Sequence, residues 1–164
     1  MNDELVEAIR RNLEEMDPNA VDTVPVKTAL CEACKTINRV FAYSSKVESP
    51  PADGGEWLFD VTGLLYDDDG YLRRTVLVAE SEWGPWKEIY SDFEKLLTAR
   101  ADVRVMVFDG GQNPGYREIF ETFATYIARC EQSQVGDIWL FAAWTPDRFH
   151  FHRIDAFQSQ RDLE

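Results

Sequence analysis

The stretch EWLFDVTGLLYDDDGYLRRTVLVAESEWGPWKEIYSDFEKL, residues 56–96, decides the fold. Two apolar segments flank the tetrapeptide Asp-Asp-Asp-Gly at 67–70, and an Asp-Gly pair favours the positive φ angles of a tight reversal. An amphipathic segment follows a Gly-Pro pair, which suits the first turn of a helix. The stretch therefore predicts a strand at 57–66, a hairpin turn, a second strand at 72–81 and then a helix.

Three carboxylates stand out in these predicted strands. Asp60 lies in the middle of the apolar strand at 57–66, where a strand covered on both faces is normally apolar throughout. Glu80 and Glu82, at the end of the next strand, share one face because strand side chains alternate with a period of two. Burying unpaired carboxylates is costly, so a metal ion or protonation is one explanation. The alternative is structural: Asp60 accepts a backbone hydrogen bond, and the glutamates mark an exposed strand end.

This pattern resembles the PD-(D/E)XK superfamily of restriction-endonuclease-like nucleases, over about residues 26–108. The resemblance implies that Asp60 and Glu80 bind Mg²⁺ or Mn²⁺ and that phosphodiester bonds in nucleic acid are hydrolysed. Glu82 stands where the superfamily has a lysine, so it becomes a further metal ligand. The lysine role, orienting water or stabilising charge, then passes to the following helix, where Lys95 is preferred to Lys87.

The remaining sequence predicts a single α/β domain over 1–164, with a mixed sheet of five to six strands and helices on both faces. Apolar stripes predict an N-terminal helix at 2–16 and a C-terminal helix and hairpin at 113–154. The resemblance implies a nuclease-like core at about 26–108. The second helix starts near Thr23, and the third runs from Gly84-Pro85 to about Ala101. Further strands are predicted at 39–45, 103–108, 138–145 and 148–154. Residues 39–46 also fit the end of the second helix, and residues 47–55 are predicted to form a loop.

Charge argues against simple nucleic-acid binding, because duplex affinity comes mostly from Lys and Arg at phosphates. The net charge is −13, but residues 73–104 hold six acidic and six basic residues. The bases of this segment, which can contact phosphate, are Arg73, Arg74, Lys87, Lys95, Arg100 and Arg104. We therefore expect weak nucleic-acid binding, or binding through a partner.

The cysteines and histidines permit a zinc site on paper, formed by Cys31, Cys34, His150 and His152. Cys34 already belongs to the apolar stripe of a helix, however, so core packing explains it better. We expect neither zinc nor a disulfide at Cys31 and Cys34, and we expect Cys130 in the core. Glu32 is the weakest metal-ligand candidate.

Trp83 and Trp86 border the acids and are expected to wall a pocket. The chain contains no glycine-rich phosphate loop, nucleotide-binding fingerprint or Ser-His-Asp order. The chain has no apolar run of transmembrane length, so we expect no membrane contact. It has three cysteines, an odd number that argues for free thiols in a reducing compartment, so we expect a cytoplasmic protein.

Two hypotheses follow. In the first, the protein is a nuclease whose Asp60 and Glu80 carboxylates converge to roughly 4 to 6 Å around one divalent ion. In the second, it is a catalytically inactive acidic protein that binds a basic partner or mimics nucleic acid. The first also predicts that Asp60→Ala leaves the metal-free stability unchanged or raised.

Overall fold

The computed structural model describes residues 1–47 and 58–156. The helices are α1 (Asn2–Glu14), α2 (Thr23–Cys34), α3 (Trp86–Thr98) and α4 (Tyr116–Arg129). The strands are β1 (Val40–Tyr43), β2 (Val61–Tyr66), β3 (Leu72–Glu82), β4 (Val103–Asp109), β5 (Ile138–Thr145) and β6 (Arg148–Asp155). None of the helices within the described ranges is long and apolar enough to cross a membrane.

The six strands form one mixed sheet in the order β1-β2-β3-β4-β5-β6. Strand β2 pairs antiparallel with both β1 and β3, the strands β3, β4 and β5 are parallel to one another, and β6 returns antiparallel to β5. Helices α3 and α4 provide the crossovers that parallel pairing requires. The prediction of an α/β fold with a mixed six-stranded sheet is confirmed.

Each face of the sheet packs against its own pair of helices. Helices α1 and α2 cover one face, where Leu77 and Ala79 of β3 lie in a common core with Leu30. Helices α3 and α4 cover the other face, where Val78 packs with Phe93 and an aromatic group around Phe123. The near-continuous burial of β4 and β5 follows from this double cover. Helices on both faces are thus confirmed.

The ambiguous segment at 39–46 contains strand β1, because Val40–Tyr43 pairs with β2. Most of the loop predicted at 47–55 lies outside the described residues, since only position 47 of it is described. Trp57 also lies outside the described residues. The predicted strand at 57–66 was too long, since β2 begins at Val61. Asp60 is therefore a bend residue directly before the strand and not in its middle. The backbone is diverted there: Leu58 has φ 58°, and the hydroxyl of Ser44 donates to the Asp60 carbonyl at 2.6 Å.

Candidate active site

Asp60 is held by two different elements. Its Oδ1 lies 3.3 Å from Nζ of Lys27 on α2, and its Oδ2 accepts a hydrogen bond of 2.9 Å from the backbone N–H of Ser81 on β3. Lys27 is only 3% exposed and also donates to the hydroxyl of Ser45 at 2.9 Å. Asp60 is thus an acceptor for a buried ammonium group and for a strand amide. The structural alternative considered from the sequence, a backbone hydrogen bond, is one part of this arrangement.

Glu80 is held from the other face of the sheet. Its Oε1 lies 2.6 Å from Nζ of Lys95 on α3, and the same ammonium lies 2.9 Å from Oδ1 of Asp92. The Glu80 side chain is buried, whereas the Lys95 side chain is 47% exposed. Lys95 and Asp92 meet because they are three residues apart on one helix. The preferred lysine from the sequence therefore does contact a candidate metal ligand.

The acids of the two ion pairs follow one register pair of the sheet. Val61 pairs with Ala79, so Asp60, directly before β2, and Glu80, in β3, are the next residues beyond that pair. Their cation partners nevertheless come from helices on opposite faces, with Lys27 on α2 and Lys95 on α3. The expected carboxylate separation of about 4 to 6 Å stays a prediction.

Burial is the main influence on the protonation of Glu80. It raises the pKa of Glu80 to about 7, against the opposing effect of Lys95 and with a smaller contribution from the charges of Asp92 and Asp60. Burial also acts to lower the pKa of Lys95, but the carboxylates of Glu80 and Asp92 outweigh it and raise that pKa. A carboxyl group that titrates near neutral pH beside a lysine is suited to proton transfer, or to replacing the lysine ammonium group by a metal ion as its partner.

Glu82 does not join these pairs. Its Oε1 accepts a hydrogen bond of 2.6 Å from the backbone N–H of Gly84, which turns the chain from β3 into α3. The side-chain amide of Gln112 donates to the Gly84 carbonyl from the loop after β4. These contacts close the carboxyl end of β3, the end of parallel strands at which ligands commonly bind in open α/β sheets.

The two tryptophans lie in different environments. Trp83 packs towards the α1/α2 core and donates to the Ser81 hydroxyl at 3.1 Å, whereas Trp86 stacks on Phe123 at 5.8 Å on the other face. They therefore do not wall one pocket together, because β3 lies between them.

The four residues considered as zinc ligands take part in packing or in stacking contacts. Cys31 and Cys34 are buried free thiols, and burial raises the pKa of Cys31 to about 11 and that of Cys34 to about 12. His150 stacks on Tyr116 with ring centroids 4.3 Å apart and makes a 3.0 Å hydrogen bond with Thr145.

The other candidates take simple surface or core positions. Glu32 is exposed and paired with Lys35, as expected of a solvated glutamate. Cys130 is only partly buried, at the end of α4, so its placement in the core was wrong. His152 stacks on Phe120 with centroids 5.3 Å apart.

Within residues 1–47 and 58–156, no three His, Cys, Asp or Glu side chains are grouped as a ready-made metal site. The chain does supply carboxylate oxygens, which are the ligands that Mg²⁺ prefers. Asp60 and Glu80 use only part of their acceptor capacity, since an ionised carboxylate has about four lone-pair sites. The donor set therefore suits a hard divalent cation better than zinc.

Lys27 is the functional candidate that the sequence reasoning missed. It lies in the apolar helix TVPVKTALCEAC, four residues before buried Cys31, so it faces the core and not the solvent. A lone lysine on the buried side of a helix requires an anionic partner, so the position of Lys27 in the apolar stripe was the sequence feature that could have identified it. The partner itself, Asp60, is 33 residues further along the chain.

No family model, no curated protein and no solved structure matches this chain. The fold defines the class, an α/β protein with a mixed six-stranded sheet, and function must be argued from the site alone.

Proposed function

We propose that the protein is a divalent-metal-dependent nuclease of the PD-(D/E)XK type. Asp60 and Glu80 bind Mg²⁺ or Mn²⁺, and Lys95 orients the attacking water or stabilises the charge that develops on the phosphorus oxygens. The observation that carries the proposal is the 2.6 Å contact between Lys95 and Glu80. It places a lysine from the helix after β3 beside the second acid, as the resemblance implies for a chain with glutamate at position 82.

The element order gives further support. Between residues 23 and 109 the chain runs α2, β1, β2, β3, α3, β4, which agrees with a core that begins with a helix and a strand and contains the hairpin and its following helix. Asp60 directly precedes β2, and Glu80 lies near the carboxyl end of β3, each one residue beyond the Val61–Ala79 register pair. For one ion to contact both carboxylates, the two side chains must turn towards each other, because their lysine partners lie on opposite faces of the sheet.

Charge balance also favours a divalent cation. Three carboxylates, Asp60, Glu80 and Asp92, are paired with two ammonium groups, Lys27 and Lys95. When all are ionised, one negative charge remains in these pairs, and a divalent cation would offset it. Lys95 is long and half exposed, so its ammonium group can release Glu80 to the ion and remain beside the site. Lys27 is buried and stays with Asp60.

A second candidate is an acidic protein that binds a basic partner and has no catalytic activity. The observation in its favour is that both strand acids already have lysine partners. The net charge of −13 suits a basic protein or imitation of nucleic acid better than direct contact with DNA or RNA. The cytoplasmic location expected from the sequence stays a prediction under either candidate.

Metal-linked melting separates the two candidates. An ion at 100 times its dissociation constant stabilises the fold by about 2.7 kcal/mol, which raises the melting temperature by roughly 5 to 10 °C. Millimolar Mn²⁺ should produce this shift in the wild type and not in Asp60→Asn, which keeps the shape of the side chain. Glu121→Gln is the matched control, because it removes an exposed acidic charge on α4, and it should keep the full shift.

Hydrolysis of single- and double-stranded DNA and RNA with Mn²⁺ is the second measurement. We expect cleavage by the wild type, and none by Asp60→Asn or by Glu80→Gln. If Mn²⁺ causes no shift in the wild type, or the same shift in Asp60→Asn, the nuclease proposal is wrong. Stabilisation by a basic peptide, in a salt-sensitive manner, would then favour the interaction protein.

A further inference from the structure

A polar cavity of about 440 Å³ lies at the end of β3 remote from the candidate active site. Arg74 and Thr75 of β3 line it, together with the connection from α3 to β4 and the loop before β5. Arg74 and Glu80 are six residues apart on one strand, a separation of about 20 Å at roughly 3.4 Å per residue. The cavity is therefore a separate site, with its own ligand chemistry.

The charge of this cavity is opposite to that of the protein. Its lining contains four arginines and two aspartates: Arg73, Arg74, Arg100 and Arg104, with Asp102 and Asp137. The balance is two positive charges, in a chain whose net charge is −13. A concentration of arginine in one concave site of an acidic protein favours a small anion that can enter the cavity, and not a long polyanion that must approach the whole surface.

Arg104 is the fixed element of the cavity. It is 3% exposed, and its Nε and Nη2 donate to the Ala99 carbonyl at 3.2 and 2.7 Å. Its guanidinium lies 5.1 Å from the centre of the Trp139 ring, and Nη1 is 3.2 Å from Oδ1 of Asp137. That ion pair lacks good hydrogen-bond geometry, so Nη1 has no hydrogen-bond acceptor among the described residues. The guanidinium group therefore keeps a fixed positive charge at the floor of the cavity.

Arg73 and Arg100 have guanidinium N–H donors that no contact within the cavity uses. Arg73 is exposed, and its nearest carboxylate is Asp67 at 3.6 Å, outside the cavity. Arg100 is exposed and takes part in no hydrogen bond or ion pair among the residues of the described ranges. Arg74 is occupied by Asp102 at 3.0 Å. Two arginines are thus held in place by aspartates, while two at the mouth remain able to close on a ligand.

We propose that this cavity binds a phosphate dianion, either inorganic phosphate or the phosphate group of a small molecule. Arginine guanidinium groups match phosphate oxygens through paired hydrogen bonds, and a phosphate carries about −1.5 to −2 charges near pH 7, which balances the cavity. Arg73 and Arg100 contact the phosphate from the mouth, and Arg104, held by Ala99 and Asp137, adds its positive charge at the floor. The proposal is independent of metal binding at Asp60 and Glu80.

Calorimetric titration in EDTA at low salt tests the proposal, with inorganic phosphate, adenosine 5′-monophosphate and adenosine as three probes. We expect saturable binding of both phosphates and none of adenosine. Equal affinity for the two phosphates would assign the site to free phosphate, and at least tenfold tighter binding of the nucleotide would assign it to a phosphorylated small molecule. Arg73→Gln and Arg100→Gln should each weaken binding by about tenfold or more, since they remove hydrogen bonds between charged groups.

Arg11→Gln is the matched control, because Arg11 is an exposed arginine on α1 with no side-chain contact to the cavity. It should leave the affinity within twofold of the wild type. The amide resonances of Thr75, Ala101 and Gln134 should shift on titration, because these residues line the cavity. Absence of saturable binding by either phosphate, or equal weakening in Arg11→Gln and Arg100→Gln, would overturn the proposal.

Discussion

Lys27 and Asp60 form a buried ion pair that joins α2 to the start of β2, with 3.3 Å between Nζ and Oδ1. This relationship leads us to expect the opposite of one prediction from the sequence, in which Asp60→Ala leaves the metal-free fold unaffected or more stable. Removal of Asp60 leaves a buried ammonium group without its carboxylate, and the loss of one partner of a buried pair costs about 3 kcal/mol or more. We therefore expect Asp60 to stabilise the metal-free protein.

We predict that Asp60→Ala lowers the free energy of unfolding by about 3 kcal/mol and the melting temperature by roughly 6 to 12 °C in EDTA. Denaturant unfolding at pH 7 measures the first quantity. The double variant Lys27→Met/Asp60→Ala should recover most of the loss, because neither charge is then buried. A single variant that melts at or above the wild-type temperature would show that the pair does not stabilise the fold.

The protonation of Glu80 predicts a dependence of stability on pH. Its pKa is about 7 in the folded protein and about 4.5 in the unfolded chain, so between these values the folded state binds more protons. The contribution of Glu80 to stability is therefore greatest below pH 4.5 and is lost as the pH rises to 7. The loss is on the order of 3 kcal/mol.

Glu80→Gln should remove this contribution. The free energy of unfolding, measured in metal-free buffer from pH 5 to 8, should fall less steeply with rising pH for the variant than for the wild type. Glu121→Gln, with its exposed side chain, should follow the wild-type profile. Parallel profiles for wild type and Glu80→Gln would mean that Glu80 titrates as an ordinary surface glutamate.

Lys95 and Lys87 provide a matched pair on α3. Lys95 contacts Glu80 and Asp92, whereas Lys87 is exposed and has no ion pair among the described residues. If the nuclease proposal holds, Lys95→Gln should reduce kcat by about a hundredfold or more, because it removes a charged group from the reacting phosphate. Lys87→Gln should retain activity within about twofold.

The Lys95→Gln variant should also keep its Mn²⁺-dependent rise in melting temperature, since the carboxylate ligands remain. A loss of both the metal response and cleavage would instead give Lys95 a role in holding Glu80 in position. Equal activities of the Lys95→Gln and Lys87→Gln variants would show that Lys95 has no catalytic role.

Burial should protect two of the three cysteines from alkylation. The pKa values of about 11 for Cys31 and about 12 for Cys34 leave very little thiolate at pH 8, and thiolate is the reactive form. Mass spectrometry after brief treatment with iodoacetamide should find Cys130 modified first. Stoichiometric zinc in reloaded protein, lost on substitution of Cys31 or Cys34, would contradict the assignment of these thiols to the core.

The sequence by itself determined most of the secondary structure. The Asp-Gly reversal fixed the hairpin between β2 and β3, and the apolar periodicities predicted five of the six strands to within about two residues at each end. These signals are local, because turn chemistry and side-chain periodicity act over a few residues. Lys95 was expected near Glu80 from the resemblance to the PD-(D/E)XK superfamily, in which some members supply this lysine from the following helix, and Lys95 contacts Glu80.

The partners of the acids were decided only by the tertiary structure. Lys27 reaches Asp60 across 33 residues, and Ser81 reaches it across 21, because α2 and β3 pack against the same end of β2. Strand β2 begins at Val61, and the Ser44 hydroxyl donates to the Asp60 carbonyl directly before it, a contact between distant segments that leaves no local pattern. The burial that raises the pKa of Glu80 likewise exists only once α3 covers the sheet. Residue types therefore indicate where charged groups occur along the chain, and packing determines which charges meet and which of them are removed from water.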